Sequence, residues 1–462
     1  MLAGLAAVIL GLGSLLVARP LGFDGYAWMV WARELAHGTL QTTGGPAFKP
    51  LPVLVTAPLT PFGDLAPLAW LGAMRVAALL ALLVAYRLAA RIGGRTAGVT
   101  AVLLIAIGPD LVRTAAYGSS EPLLVLLVLL AAERWIAADA PGALVLLGVA
   151  GLLRPELWPI VGALALALTW TERRVRPAVW AAALGAPVVW LGMDRIGGGT
   201  AADQIHAGAG ACAGCALVLA APRALVSIER HADALGVLRR LAQSIALPAL
   251  ALSGFALAVP RERDVRRRLL VLGLVALAWV AIVAAMGQAG YPGARRYLVG
   301  PAAVLGVLAG IGMADLLRRV PGAPGRWAIG LVVAALIAGS GTGTITSTAR
   351  LPGIARRQQR MLDGLPSAIA LAGGRDVVVA AGRPAVNPWV HTALAWDLDV
   401  PLGEIQATWH STRRHPAWAP PAMVFRGPPD IAGAAPAIGL SRPTTPVGRS
   451  GAWAVRRAAS SR

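Results

Sequence analysis

Residues 76–108 read VAALLALLVAYRLAARIGGRTAGVTAVLLIAIG. An unbroken Ala/Leu/Val run stops at an Arg- and Gly-bearing break, then resumes. A strand facing lipid would alternate apolar and polar residues, so continuous runs predict membrane helices rather than a barrel. The break places Arg87, Arg91 and Arg95 in a short connection, where the loops left on the cytoplasmic side collect cations.

The pattern recurs along the chain. Candidate spans fall near 1–18, 65–86, 97–109, 120–132, 142–153, 157–170, 178–192, 243–260, 269–286, 299–317 and 327–343. We expect an α-helical polytopic membrane protein with about 11 transmembrane helices, in a range of roughly 9 to 13. Pro155 and Pro159 leave 142–170 open as a hairpin or one kinked helix. The chain is 57% hydrophobic and only 14% charged, with mean hydropathy +0.66, which excludes an ordinary soluble protein of 462 residues. Residues 1–18 read as a retained first helix rather than a cleaved signal.

The net charge of +20 does not point to nucleic acid, because the Arg residues sit in short clusters between apolar runs. With the N-terminus inside, the loops 87–96, 133–140, 171–177, 261–268 and 318–326 hold 15 basic residues. The outer loops, almost three times as long in total, hold 12. Trp70, Trp158, Trp170, Trp180, Trp190 and Trp327 lie near span ends, as an interfacial belt predicts. Ala, Gly, Pro and Arg enrichment points to a GC-rich bacterial genome, and so to a bacterial plasma membrane. Cys212 and Cys215 form a lone C-x-x-C in an Ala/Gly context, which argues against zinc. The histidines show no metal-ligand spacing.

This orientation puts two regions outside. The first outer loop, 19–64, follows the first span; residues 344–462 follow the last. The latter is more polar and predicts a small extracytoplasmic α/β domain, with strands near 377–380, 423–425 and 453–455 and a helix opening at Asn387. Its Trp389, Trp396, Trp409, Trp418 and Trp453 could form sugar platforms, although core packing is the commoner use.

In the first outer loop, Asp24 precedes Tyr26, Trp28 and Trp31, which interleave with Arg33, Glu34 and His37 at helical spacing. The expectation is an interfacial amphipathic helix, with Asp24 either as its N-cap or as a chemical group. Later in the loop stands Lys49, the one lysine beside 41 arginines, followed by Pro50. A compact ammonium suits different chemistry from a guanidinium fork. Charges at span edges call for partners: Glu121, Arg154, Glu156 and Arg75, with Arg154–Glu156 and Arg75–Glu121 as candidate pairs. In the last short outer loop, Arg295 and Arg296 beside Tyr297 suit either a phosphate or an anionic headgroup.

Taken in order and sidedness, these residues resemble the GT-C superfamily of membrane glycosyltransferases: protein O-mannosyltransferases, aminoarabinose transferases and actinobacterial mannosyl- and arabinosyltransferases. Asp24 matches that family's acidic residue after helix one, and Lys49-Pro50 its Lys-Pro element. Glu121, or less well Asp110, matches the second acidic residue. Arg154-Pro155-Glu156 matches an Arg-Pro-Glu element, and Arg296-Tyr297 an Arg-Tyr element. The resemblance covers 1–343. It implies an inverting transfer of a sugar from a polyprenyl-phosphate donor to an extracytoplasmic glycan, lipid or protein. Asp24 would be the catalytic base. Lys49, Glu121, Arg154, Glu156, Arg295, Arg296 and Tyr297 would bind substrate. No D-x-D or E-x-D pair is expected on the outer side, C-terminal region included, so a divalent metal ion, held for instance by Asp24 and Glu121, stays open. Two other readings stand beside it: a transporter or flippase of lipid-linked sugars, and a non-catalytic cell-envelope assembly protein.

Overall fold

A computed structural model describes residues 2–42, 45–108, 110–198, 234–288, 293–340, 342–407, 423–427 and 444–458. Cys212, Cys215, Tyr291, His206, His231, His410, His415, Trp409 and Trp418 lie outside these residues. The described chain is mostly helical. In order, its helices are α1 (Leu2–Gly13), α2 (Phe23–Ala36), α3 (Pro50–Thr56), α4 (Leu65–Gly93), α5 (Arg95–Ile107), α6 (Leu111–Ala116), α7 (Glu121–Ile136), α8 (Ala140–Gly151), α9 (Leu157–Glu172) and α10 (Pro177–Gly198). There follow α11 (Ala234–Ser244), α12 (Leu247–Ala258), α13 (Arg263–Gln288), α14 (Val299–Arg319), α15 (Ala323–Ser340), α16 (Thr342–Asp363), α17 (Leu365–Leu371), α18 (Arg375–Ala380) and α19 (His391–Leu398).

Each apolar segment read from the sequence lies on helix. Among the described residues, four helices are long and apolar enough by themselves to cross a membrane: α4, α10, α13 and the one ending at Arg319. The segment near 243–260 is not one straight span, because α11 and α12 meet at 88°. Residues 142–170 form two helices, α8 and α9, rather than one kinked rod. Between α4 and α5 the chain reverses at one residue, Gly94, whose φ of +82° a side chain would strain.

The bundle is centred on α14. A helix apolar all round must be covered all round, and α14 is buried along almost its whole length. It can be covered because its Gly residues let neighbouring backbones approach, the small-residue packing of membrane helices. A Cβ at Gly310 would collide with the Ala97 carbonyl of α5, and one at Gly312 with the Leu252 carbonyl of α12. Ser253 Oγ donates to Leu305 O at 2.8 Å, an interhelical hydrogen bond in the same packing.

The C-terminal segment carries a five-stranded sheet ordered β2-β1-β3-β5-β4: β1 (Ala385–Val386), β2 (Gln406–Ala407), β3 (Met423–Arg426), β4 (Thr444–Ser450) and β5 (Trp453–Ala458). β1 runs parallel to β2 and β3, and β5 runs antiparallel to β3 and β4, with Val424 opposite Arg456. The strands expected near 423–425 and 453–455 are present. The one expected at 377–380 is not: those β-branched residues lie on α18, where Val378 is fully buried and tertiary packing overrides strand propensity.

The α2 expectation also needs correction. This helix is not an exposed interfacial anchor: Trp28 and Trp31 are fully buried. Trp28 packs edge-on against Trp70 at 5.6 Å, and Trp31 against Phe48 at 5.4 Å. Its outer side is covered by the C-terminal segment. Arg33 reaches the Val400 carbonyl at 3.2 Å and Asp399 at 2.7 Å, and Thr392 Oγ1 donates to Phe23 O at 2.9 Å. Asp24 is not the N-cap, which is Gly22; it lies in the first turn. The Trp belt divides. Trp170 and Trp327 are exposed at helix ends as expected, whereas Trp70 and Trp190 are packing residues in the interior.

Candidate active site

Three chain segments bring the site together at one end of α14. The first is the N-terminal turn of α2, fixed by Gly22 N donating to the Tyr117 carbonyl at 2.8 Å. A side chain at Gly22 would press on that carbonyl. The second is the stretch from Asp110 to the start of α7. The third is the short 3-10 turn Arg295–Leu298 that leads into α14. Asp24 Oδ2 accepts a hydrogen bond from Arg296 Nη1 at 2.9 Å across 272 residues of sequence.

This pair lines a cavity of about 720 Å³. Asp110, Arg113, Arg240, Arg295 and, from the C-terminal segment, Trp389 line it as well. Arg240 Nη1 is held by the Gly293 carbonyl at 2.7 Å, and Arg295 lies 3.9 Å from Asp110. Four guanidinium groups therefore surround two carboxylates, leaving a cavity with surplus positive charge.

Lys49 is not on the cavity wall. It lies beside it with Glu121 and Arg154, all three buried. Glu121 Oε1 accepts from Arg154 Nη2 at 2.6 Å and stands 3.6 Å from Lys49 Nζ. Lys49 Nζ also donates to Ser120 Oγ at 2.9 Å and sits 5.3 Å from the Trp28 ring. Its backbone is extended, as a residue before proline prefers, at the N-cap of α3. Burial pulls its ammonium down to about 8, against the opposing pull of Glu121. Arg154 ties this cluster to the cavity: its Nη2 donates to the Arg296 carbonyl at 3.2 Å, and its guanidinium lies 4.5 Å over the Tyr297 ring. Tyr297 is fully buried beneath both Arg154 and Arg296.

The candidate ion pairs read from sequence are both replaced. The partner of Arg154 is Glu121, not Glu156 two residues away. Arg75 is held by the Ala18 carbonyl at 2.6 Å, the Ala116 carbonyl at 3.1 Å and Ser14 Oγ, not by Glu121. Glu156 is buried with neither carboxylate oxygen hydrogen-bonded, and burial raises it above the usual carboxylate range. Among the described residues, the pair named for a divalent ion, Asp24 and Glu121, is not set up to hold one. Asp24 and Glu121 already face cations, and among the described residues no three His, Cys, Asp or Glu side chains group together. A D-x-D does occur at Asp397-Leu398-Asp399, in the C-terminal segment, but Asp399 is taken up by Arg33 and, at 2.6 Å, Arg375.

Arg113 and Arg240 were missed by sequence reasoning. Neither stands in a recognisable spacing; both lie on short helices, Leu111–Ala116 and Ala234–Ser244, in stretches that the sequence reads as outer loops.

No protein-family model matches the chain, and a search of curated proteins finds no match. Solved structures do match. ArnT from Cupriavidus metallidurans, an aminoarabinose transferase, is similar over 98% of this chain and 97% of its own, in a structure bound to undecaprenyl phosphate (TM-score 0.57, 15% identity). Its apo form gives 0.54 over the same shares. The archaeal oligosaccharyltransferase AglB from Archaeoglobus fulgidus, in complex with an inhibitory peptide and a dolichol-phosphate, is similar over 92% of this chain and 69% of its own (TM-score 0.51, 12% identity). The shared architecture, together with helices long and apolar enough to span a bilayer, makes this chain a multi-pass membrane protein with the GT-C fold.

Proposed function

We propose that the protein is an inverting glycosyltransferase that moves a sugar from a polyprenyl-phosphate donor to an acceptor hydroxyl at the outer face of a bacterial plasma membrane. About 11 spans, a cytoplasmic N-terminus and an extracytoplasmic C-terminal unit beginning near residue 344 belong to the same reading. The observation that carries it is the Asp24–Arg296 pair on the wall of a cation-rich cavity. The matched ArnT and AglB structures hold lipid phosphates, which fits that cavity chemistry.

The donor's polyprenyl tail stays in the bilayer, so its phosphate waits at the membrane surface. The acceptor oxygen attacks the anomeric carbon from the face opposite the phosphate. The new C–O bond forms as the sugar–phosphate C–O bond breaks, and the configuration inverts. The acceptor proton passes to Asp24. The polyprenyl phosphate leaves with the bonding pair as a dianion and needs cations rather than a proton. Arg295, Arg296 and Arg240 supply them at the wall, and Lys49 adds charge from beside it. Glu121 holds Lys49 and Arg154 in place, and Arg154 supports the turn that presents Arg296. No step is routed through a metal ion.

The test is transfer from a radiolabelled polyprenyl-phosphate sugar in membranes containing wild-type protein or Asp24→Asn. Loss of a general base costs about 10²–10⁴ in rate, so the variant should transfer at that reduced level with normal protein abundance. Unimpaired transfer would sink the assignment.

A further inference from the structure

A second cavity, of about 800 Å³, opens at the other end of α14. With 21 residues at 1.5 Å each, α14 separates the two by about 30 Å. Five guanidinium groups line this second cavity: Arg91 from the end of α4, Arg261 and Arg268 around the start of α13, and Arg318 and Arg319 from the end of α14. Only Asp315 and Glu262 oppose them there.

The lining charges do not cancel. Asp315 accepts from both Arg261 and Arg318, so one carboxylate serves two cations. Arg91, Arg268 and Arg319 have no carboxylate partner among the described residues. The Arg268 guanidinium donates to the Ile136 carbonyl at 2.8 Å. Arg319 is held by the Asp315 carbonyl at 3.2 Å and the Phe255 ring at 5.1 Å. Each bond aims a guanidinium without neutralising it. The topology rule accounts for arginines in these loops. It does not account for their convergence from three segments on one concave space, which raises mutual repulsion unless an anion offsets it. The remaining wall is apolar, with Ile92, Val259 and Val265 among its residues. That combination fits a group with a charged head and an apolar body.

We propose that this cavity binds a phosphate group, presented by an anionic phospholipid of the membrane leaflet opposite the active-site face or by a soluble phosphate ester. The planar forks of Arg91, Arg268 and Arg319 would take the phosphate oxygens, and Ile92, Val259 and Val265 would face the glycerol and first methylenes of a lipid.

Native mass spectrometry of the full-length protein, purified in detergent and stripped of lipid, tests this. The probes are phosphatidylglycerol, phosphatidylcholine and glycerol phosphate. Retention of phosphatidylglycerol at least tenfold above phosphatidylcholine, lost at least tenfold in Arg91→Gln/Arg319→Gln, establishes the site with a lipid occupant. Retention of glycerol phosphate alone, with the same loss in the variant, establishes it with a soluble occupant. The exposed Arg91→Gln change serves as a milder second variant, expected to lose retention several-fold with an unaltered unfolding temperature. Equal retention by wild type and both variants, or no preference for any phosphate anion over phosphatidylcholine, would overturn the proposal.

Discussion

The two ends of α14 present the same residue type in two different arrangements. At one end, Asp24 has a single guanidinium partner, lines its cavity and keeps company with three further arginines. At the other, Asp315 is buried under two guanidinium groups and is a structural counterion. Arginine counts alone do not separate a site for chemistry from a site for binding. What separates them is whether a carboxylate is placed at the cavity wall with a partner that orients it, or consumed in holding cations apart.

Neutralising each carboxylate in turn should separate the two roles. Asp24→Asn should remove about 10²–10⁴ of the transfer rate while leaving thermal stability close to wild type. Asp315→Asn should do the reverse. Its buried bond to Arg261 is worth on the order of 3 kcal/mol to break, and Arg318 adds little because it is largely exposed. If Asp315→Asn lowered the rate at unchanged stability, the two ends would be coupled and the contrast would fail.

Lys49→Ala should cost less than the about 10²–10³ of losing a donor in direct contact with a developing anion, because Lys49 acts from beside the cavity and not on its wall. A loss confined to protein abundance would make Lys49 part of the scaffold only. The pH dependence follows from the same residue. Its ammonium titrates at about 8, and the charged form is the one the leaving phosphate needs. The rate should therefore decline as pH rises through about 8, by roughly tenfold per unit well above it. A rate still flat at pH 10 would remove Lys49 from the chemistry.

The smallest expected effect is on stability. Burial raises Glu34 and Asp397 to about 7 each, Asp397 with help from Asp64. The folded protein binds more protons than the unfolded chain between the ordinary carboxylate range and about 7, so stability should fall as pH rises through that window. Glu34→Gln should flatten part of this slope in thermal unfolding scans; an unchanged slope would contradict it.

The membrane class and the helical segments were legible because apolar runs carry their own signal. The Asp24, Lys49-Pro50 and Arg296-Tyr297 elements were legible as an ordered set. What was hidden depended on distant partners. Trp28 and Trp31 are buried against Trp70 and Phe48, and Arg33 and Phe23 of the same helix meet a C-terminal segment more than 350 residues later. Arg154 finds Glu121 33 residues back because the α8–α9 connection turns it toward the start of α7. β1 and β2 have two residues each, too few for any period to register. Arg113 and Arg240 join the site only through the packing of α6 and α11 around the cavity.

A glycosidic bond made at the cavity bearing Asp24 is what separates a transferase from a carrier. Right-side-out membrane vesicles containing the protein, given a polyprenyl-phosphate donor labelled in its sugar, test it directly. Label should appear in a new glycoside of inverted anomeric configuration, with one polyprenyl phosphate released per sugar transferred. Donor that crosses the bilayer intact, with no bond broken, would contradict it and make the protein a carrier of lipid-linked sugars.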